Sequence, residues 1–442
     1  MASEKARFHL ERYVPELQEY SQKQIFTPPE ITAIASKRSD FEHTINARGS
    51  KPADYARYAT YEMNLDSLRK KRCKRLGVKS TMFSGQRTIF FILDRATKKF
   101  RGDMGLWMQY IEFCSKEKAN KKLSKVFTEV LRLKPREWGL WVLAAKHYAE
   151  VQGDMTTARS YMQRGLRFCK EERRLWVEYL RLEMVYLAKL AARRKILGMD
   201  EERPEADAQK AGGEDEDMVD LPLVTAADIQ PDAQRGIEEV DDDALKRLAA
   251  APALTGAIPL AIFDAAMKQF KNDPSFAEDV FDLCAAFEKV PSTRRILQHI
   301  LDHLHSQAPA SDELIICEAK LAMFGTAVDS EEFPAALGSC LATIKRSQSQ
   351  SEPSAISSLA GKAVTLLLPF LRTEDEVDED VKMVLEASVK RYLKMLAQAP
   401  TTSSRFSKVP DPVLTLIDKL RNNDRSADAE MVEAYLASVE AR

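Results

Sequence analysis

The 442-residue chain is poor in glycine and proline, with 16 and 19, too few for a fold built from many tight turns and short strands. That scarcity favours helices. No apolar run approaches the ~20 residues needed to span a bilayer, and the longest, residues 363–371, is interrupted by Pro369. The opening residues, MASEKARFHLERY, are charged from the fourth position and hold no apolar signal-peptide core, so a secreted or membrane location is not expected. The six cysteines, at 73, 114, 169, 284, 317 and 340, form no C-x-x-C pair. Their spacing is too wide for a zinc knuckle or redox motif, and they read as reduced thiols, several of them in helical core positions. Phosphate-loop, dinucleotide and nucleophile-elbow motifs are all lacking. The expectation is therefore a protein without catalytic activity, cofactor, metal or small-molecule substrate.

What is present begins with charge. The net charge of −1 hides a polarity: residues 1–198 hold 41 Lys and Arg against 22 Asp and Glu, and the remainder 25 against 45. Either the basic half faces polyanions, or the two halves attract each other or other subunits.

An internal repeat follows. Trp107, Trp141 and Trp176 are 34 and 35 residues apart, opening LWMQYIEF, LWVLAAKHY and LWVEYLRLE. DYARYATYE, from Asp54, carries Tyr55, Tyr58 and Tyr61 in the same role. Aromatics three apart share a helix face, so Tyr55, Tyr58, Trp107, Tyr110, Trp141, Trp176 and Tyr179 read as structural repeat positions. Each helix precedes a second one (IFFILDRA, KVFTEVL, ARSYMQRGL), in which Arg95, Glu129 and Arg164 step by the same interval. Paired helices at a period of about 34 predict an all-α, TPR-like solenoid. The Trp-x-x-Tyr opening and the A-R-x-Y-x-x-R-x-L second helix resemble half-a-TPR (HAT) repeats, a class found among RNA-processing proteins.

The pattern resumes more weakly later, with Phe263 and Leu297 again 34 apart. Residues 200–220 separate the halves, with 10 acidic against 2 basic residues. Such a segment cannot bury enough apolar surface to offset its ordering entropy and is expected to be disordered, as a linker or a regulated contact. The expected organisation is a helical segment over 1–53, a basic HAT-repeat solenoid over 54–198, an acidic, largely disordered linker over 199–257 and degenerate HAT-like repeats over 258–442.

Four stretches near the start are more specific. FHLERYVPELQEY, IFTPPEI, KRSDFEHTI and YEMNLDSLRKKRCKRLG, in this order, closely resemble the U3 small nucleolar RNA-associated protein 6 family. The resemblance continues over residues 126–198. It implies a nucleolar HAT-repeat subunit of the UtpB subcomplex of the small-subunit processome. Its implied neighbours are WD-repeat propeller subunits and the ribonucleoprotein of U3 snoRNA with pre-rRNA, and its implied role is maturation of 18S rRNA.

The densest basic cluster is Arg69, Lys70, Lys71, Arg72, Lys74 and Arg75, six charges in seven residues with no acid nearby. Such a helix is charged all round and is expected to protrude or to meet RNA or an acidic partner, or to serve as a nuclear-localisation signal. Lys116, Lys118, Lys121, Lys122 and Lys125 form a second strip, and Arg193, Arg194 and Lys195 a third. The recurring aromatics are explained by core packing, so base-specific readout is not expected. His299 and His303 share a helix face but lack further ligands, and read as ordinary histidines. Two other interaction roles fit less well: a HAT scaffold of splicing or mRNA 3′-end processing, and a TPR-type cochaperone.

Overall fold

The computed structural model describes residues 2–79, 84–196, 255–348, 353–372, 378–397, 411–422 and 425–440. The expected acidic linker lies outside them, apart from its last three residues. The chain is all-helical, and among the described residues there is no strand. It divides into two units, residues 1–141 and 142–442.

The first unit begins with α1 (Ala2–Glu11), α2 (Val14–Gln22), α3 (Pro28–Asn46) and α4 (Pro52–Leu76). It continues through α5 (Ser84–Lys99), α6 (Met104–Lys116) and α7 (Asn120–Leu133). Helix starts are written into the sequence. Pro28 and Pro52 open α3 and α4, where a missing N–H costs nothing. Glu30 accepts from the Thr27 N–H at 2.9 Å, Asp54 from the Lys51 N–H at 2.8 Å, and Asp103 caps α6 through the Leu106 N–H at 3.0 Å. Gly77 stops α4 in the left-handed conformation, φ +68°.

Helix α8 (Trp138–His147) ends in a π-helical turn, Tyr148–Gln152, closed by Gly153 at φ +71°. In the second unit α9 (Met155–Phe168) and α10 (Arg173–Ile196) follow, then α11 (Ala257–Gln269), α12 (Pro274–Ala285), α13 (Thr293–Gln307) and α14 (Asp312–Met323). Helices α15 (Phe333–Gln348), α16 (Pro353–Arg372), α17 (Glu379–Ala397), α18 (Asp411–Asn422) and α19 (Ser426–Glu440) complete the described chain. Consecutive helices pack as neighbours, α12 on α13, α14 on α15 and α16 on α17. The core of this last region gathers Phe333, Leu337, Leu359, Leu367, Leu385 and Val389, all at 2% exposure or less.

The periodic aromatics are buried. Tyr55, Tyr58, Trp107, Tyr110, Trp141, Trp176 and Tyr179 are at most 7% exposed. Each tryptophan also does something the pattern did not announce. The indole Nε1 donates to a carbonyl six residues upstream: Trp107 to Arg101 at 3.0 Å, Trp141 to Pro135 at 2.9 Å and Trp176 to Lys170 at 3.1 Å. The acceptors lie in the turns ahead of α6, α8 and α10, so each ring fills the core while its polar edge fixes the connection. Arg95, Glu129 and Arg164 share the period but not an environment. Arg95 holds a buried carboxylate, whereas the other two are exposed.

Candidate nucleic-acid interface

Three of the four N-terminal stretches, those holding Glu16, Arg38 and Glu62, meet in a buried ionic core. Arg38, 1% exposed, donates from Nε and Nη2 to both carboxylate oxygens of Glu62 at 2.8 Å, and from Nη2 to Glu16 at 3.3 Å. Its guanidinium lies 4.6 Å from the centre of the Tyr13 ring, and the Tyr58 hydroxyl donates to that of Tyr13 at 3.2 Å. Burial pushes the Glu62 carboxyl up despite Arg38, with Glu16 and Asp66 adding to the shift. The fully buried Glu42 receives both arms of Arg95 at 2.9 and 3.0 Å. Two forked Arg–Glu pairs thus tie α3 to α4 and to α5.

The fold divides the first basic cluster. Arg69 is 2% exposed and donates to Asp66 at 2.7 Å; Lys70 reaches Asp66 at 2.8 Å and Glu117 at 3.2 Å. Arg72 grips Glu30 with two bonds, 2.7 and 2.8 Å, and stacks 4.7 Å over Phe26. Arg72 holds the Glu30 carboxyl down to about 2, aided by the Thr27 N–H. The expectation of a cluster without nearby acid is corrected: Asp66 is one turn back, and Glu30 and Glu117 arrive through the fold. Nor does α4 protrude as a helix charged all round, since it packs against α3, α5 and α6. Lys71, Lys74 and Arg75 are exposed.

The second strip divides similarly. Lys122 pairs with Asp94 at 3.2 Å and lies 4.4 Å over the Phe90 ring. Lys116, Lys118, Lys121 and Lys125 are exposed, and among the described residues they make no ion pair. Lys70 joins the two strips by bonding Glu117, which stands between Lys116 and Lys118 in the α6–α7 turn. Arg132 was missed in the sequence. It is exposed on α7 at the spacing that continues Lys121 and Lys125 along one face. The third group ends α10 in the second unit: Arg193 and Lys195 are exposed, Arg194 is half-buried, and both arginines are already engaged within the chain.

Other chemistry is sparse. His299 bonds Asp264 at 2.8 Å and His303 stands edge-on to Phe263, and no metal-binding group of side chains occurs among the described residues. All six cysteines are free. Burial pushes the Cys114, Cys284 and Cys340 thiols up to about 12, which keeps them protonated and unreactive. No described helix is long and apolar enough to cross a membrane.

Residues 10–91 match the family model of U3 small nucleolar RNA-associated protein 6, the stretch that contains the Arg38 core. The protein of that name from Schizosaccharomyces pombe is 33% identical over 251 residues, 54% of this chain and 51% of its own length. The Homo sapiens homolog is 32% identical over 212 residues, 46% of this chain and 36% of its own. The Dictyostelium discoideum homolog is 28% identical over 209 residues, 47% and 34%. The match therefore spans about half of the fission-yeast relative and about a third of the other two.

Proposed function

We propose that this chain, related through that segment to the U3 small nucleolar RNA-associated protein 6 family, is a non-catalytic scaffold supporting U3-dependent processing of pre-rRNA and maturation of 18S rRNA. The family match over residues 10–91 carries the reading, and the Arg38 core with Glu16 and Glu62 lies wholly within it. The tryptophan ties, repeated at the sequence period, support a HAT-like solenoid in which extended helix faces, not a closed pocket, meet partners.

On this reading the chain is a nucleolar subunit of UtpB, and its protein neighbours are WD-repeat propeller subunits. The four-part division of the sequence, with a linker over 199–257, belongs to the same proposal, as do RNA-backbone contacts by Lys71, Lys74, Arg75, Lys116, Lys118, Lys121 and Lys125. The group at Arg193, Arg194 and Lys195 is a second contact candidate.

The test is purification of the tagged protein from cells at low and high salt. Recovery of U3 snoRNA with propeller proteins supports the reading, and proteins retained at high salt are the direct neighbours. Recovery of splicing or 3′-end-processing components keeps the scaffold and overturns the named process.

A further inference from the structure

The geometry points to a single RNA-binding edge on the first unit, running from the end of α4 across the α6–α7 turn and along the outer face of α7. Its ligand is the phosphodiester backbone of RNA, read without base specificity. The inference deepens the proposed function, and rests on it, by naming the surface.

Three features set this edge apart from an ordinary solvated face. The first is convergence: Lys74 lies one turn beyond Lys70, which holds Glu117 in the turn carrying Lys118. Cations distant in sequence are thereby brought to one place. The second is that the fold keeps these cations against its own stability. Lys118 occupies the left-handed region at φ +54°, where glycine or asparagine would be less strained. Lys121 stands in the first turn of α7, where the helix dipole disfavours positive charge and no acidic residue compensates. Lys118 follows the C-terminus of α6, where the dipole favours a cation but the backbone strain remains, and helix stability does not explain Lys121. The third is the stripe itself. Lys121, Lys125 and Arg132 recur at spacings of 4 and 7, so neighbours on the stripe are about 6 and 10 Å apart along the axis, a spacing on which consecutive phosphates can be met.

The partner's class follows from what surrounds these charges. The aromatic rings of α4, α6 and α7 are buried or half-buried, so no platform exists there for stacking bases. Phosphate contact positions a nucleic acid without reading its sequence. Glu129, exposed between Lys125 and Arg132, is the opposing charge on the stripe.

The test measures binding of the full chain to a fluorescein-labelled RNA hairpin of arbitrary sequence, by anisotropy over a salt series. Lys121→Gln/Lys125→Gln/Arg132→Gln is expected to weaken binding at least tenfold at low salt and to lower the slope of log K against log salt by about 2–3. Glu129→Gln should tighten binding, and Arg7→Gln/Arg57→Gln, on exposed cations elsewhere in the unit, should leave it unchanged. Lys118→Gly separates function from folding: its melting temperature should hold or rise while affinity falls several-fold. Unchanged affinity and slope in the triple variant overturn the edge, as does equally tight binding of polyglutamate, which would mark an acidic protein as the ligand. Co-purification of U3 snoRNA with the wild-type chain decides the scaffold reading separately, whatever the hairpin shows.

Discussion

Arg425 donates from Nη2 to the carbonyl of Thr365 at 3.1 Å. That carbonyl is the one Pro369 leaves without a helical partner, because the proline inside α16 has no N–H to offer four residues on. The guanidinium stands in for the missing bond and is steadied by Asp428, 2.5 Å from its Nε. Arg425→Leu is expected to cost about 1–2 kcal/mol in urea unfolding. In a Pro369→Ala background, where the helix supplies its own donor, the cost should fall. A double-mutant cycle with no coupling would show that the two residues act independently.

The Arg38 core should respond to pH in a defined direction. Arg38→Met leaves Glu16 and Glu62 buried without their cation and is expected to cost about 3–5 kcal/mol near neutral pH. Glu62 is already raised from 4.5 by burial, and losing Arg38 raises it further. A carboxyl whose folded pKa exceeds its unfolded one withdraws stability as pH climbs through that interval. The deficit should therefore shrink on acidification toward about pH 5. A deficit that is flat with pH would trace the loss to packing instead.

Glu30 shifts the opposite way. Held at about 2 by Arg72 and the Thr27 N–H, it contributes stability above its ordinary 4.5 that disappears as pH falls from there toward 2. Arg72→Gln should move the carboxyl's NMR titration midpoint back up toward 4.5 and flatten the acid limb of the stability curve. An unmoved midpoint would assign the shift to the helix N-terminus alone.

Each tryptophan tie can be tested by Trp→Phe, which keeps a ring and removes the donor. Trp107→Phe, Trp141→Phe and Trp176→Phe should each lose about 1–2 kcal/mol. Unequal losses would show that the three turns do not depend alike on the indole bond. Truncation to alanine should cost about 3–5 kcal/mol at each position.

The helices and their aromatic faces were legible in the sequence because burial imposes a period that survives without knowing the partner. The interval of Trp107, Trp141 and Trp176 located helices α6, α8 and α10, although the indole bonds to Arg101, Pro135 and Lys170 left no separate signal. The disposition of the cations was not legible. Arg72 meets Glu30 from 42 residues away and Lys70 meets Glu117 from 47, so only the tertiary fold decides which charges are neutralised. Arg38 looks like a surface residue in KRSDF and is among the most deeply buried side chains. Asp66 was within reach of sequence reasoning, since an acid three residues before Arg69 shares its helix face.

Burial of five of the six cysteines has a practical consequence. Cys73, half-buried, lies between Arg72 and Lys74 on the helix that begins the basic edge. In the native protein a maleimide dye should react there first, without any engineered residue, giving a reporter next to the free cations of α4. Slow labelling of the other thiols would then time the opening of the helices that enclose them, so one reagent follows both the occupancy of the edge and the integrity of the fold.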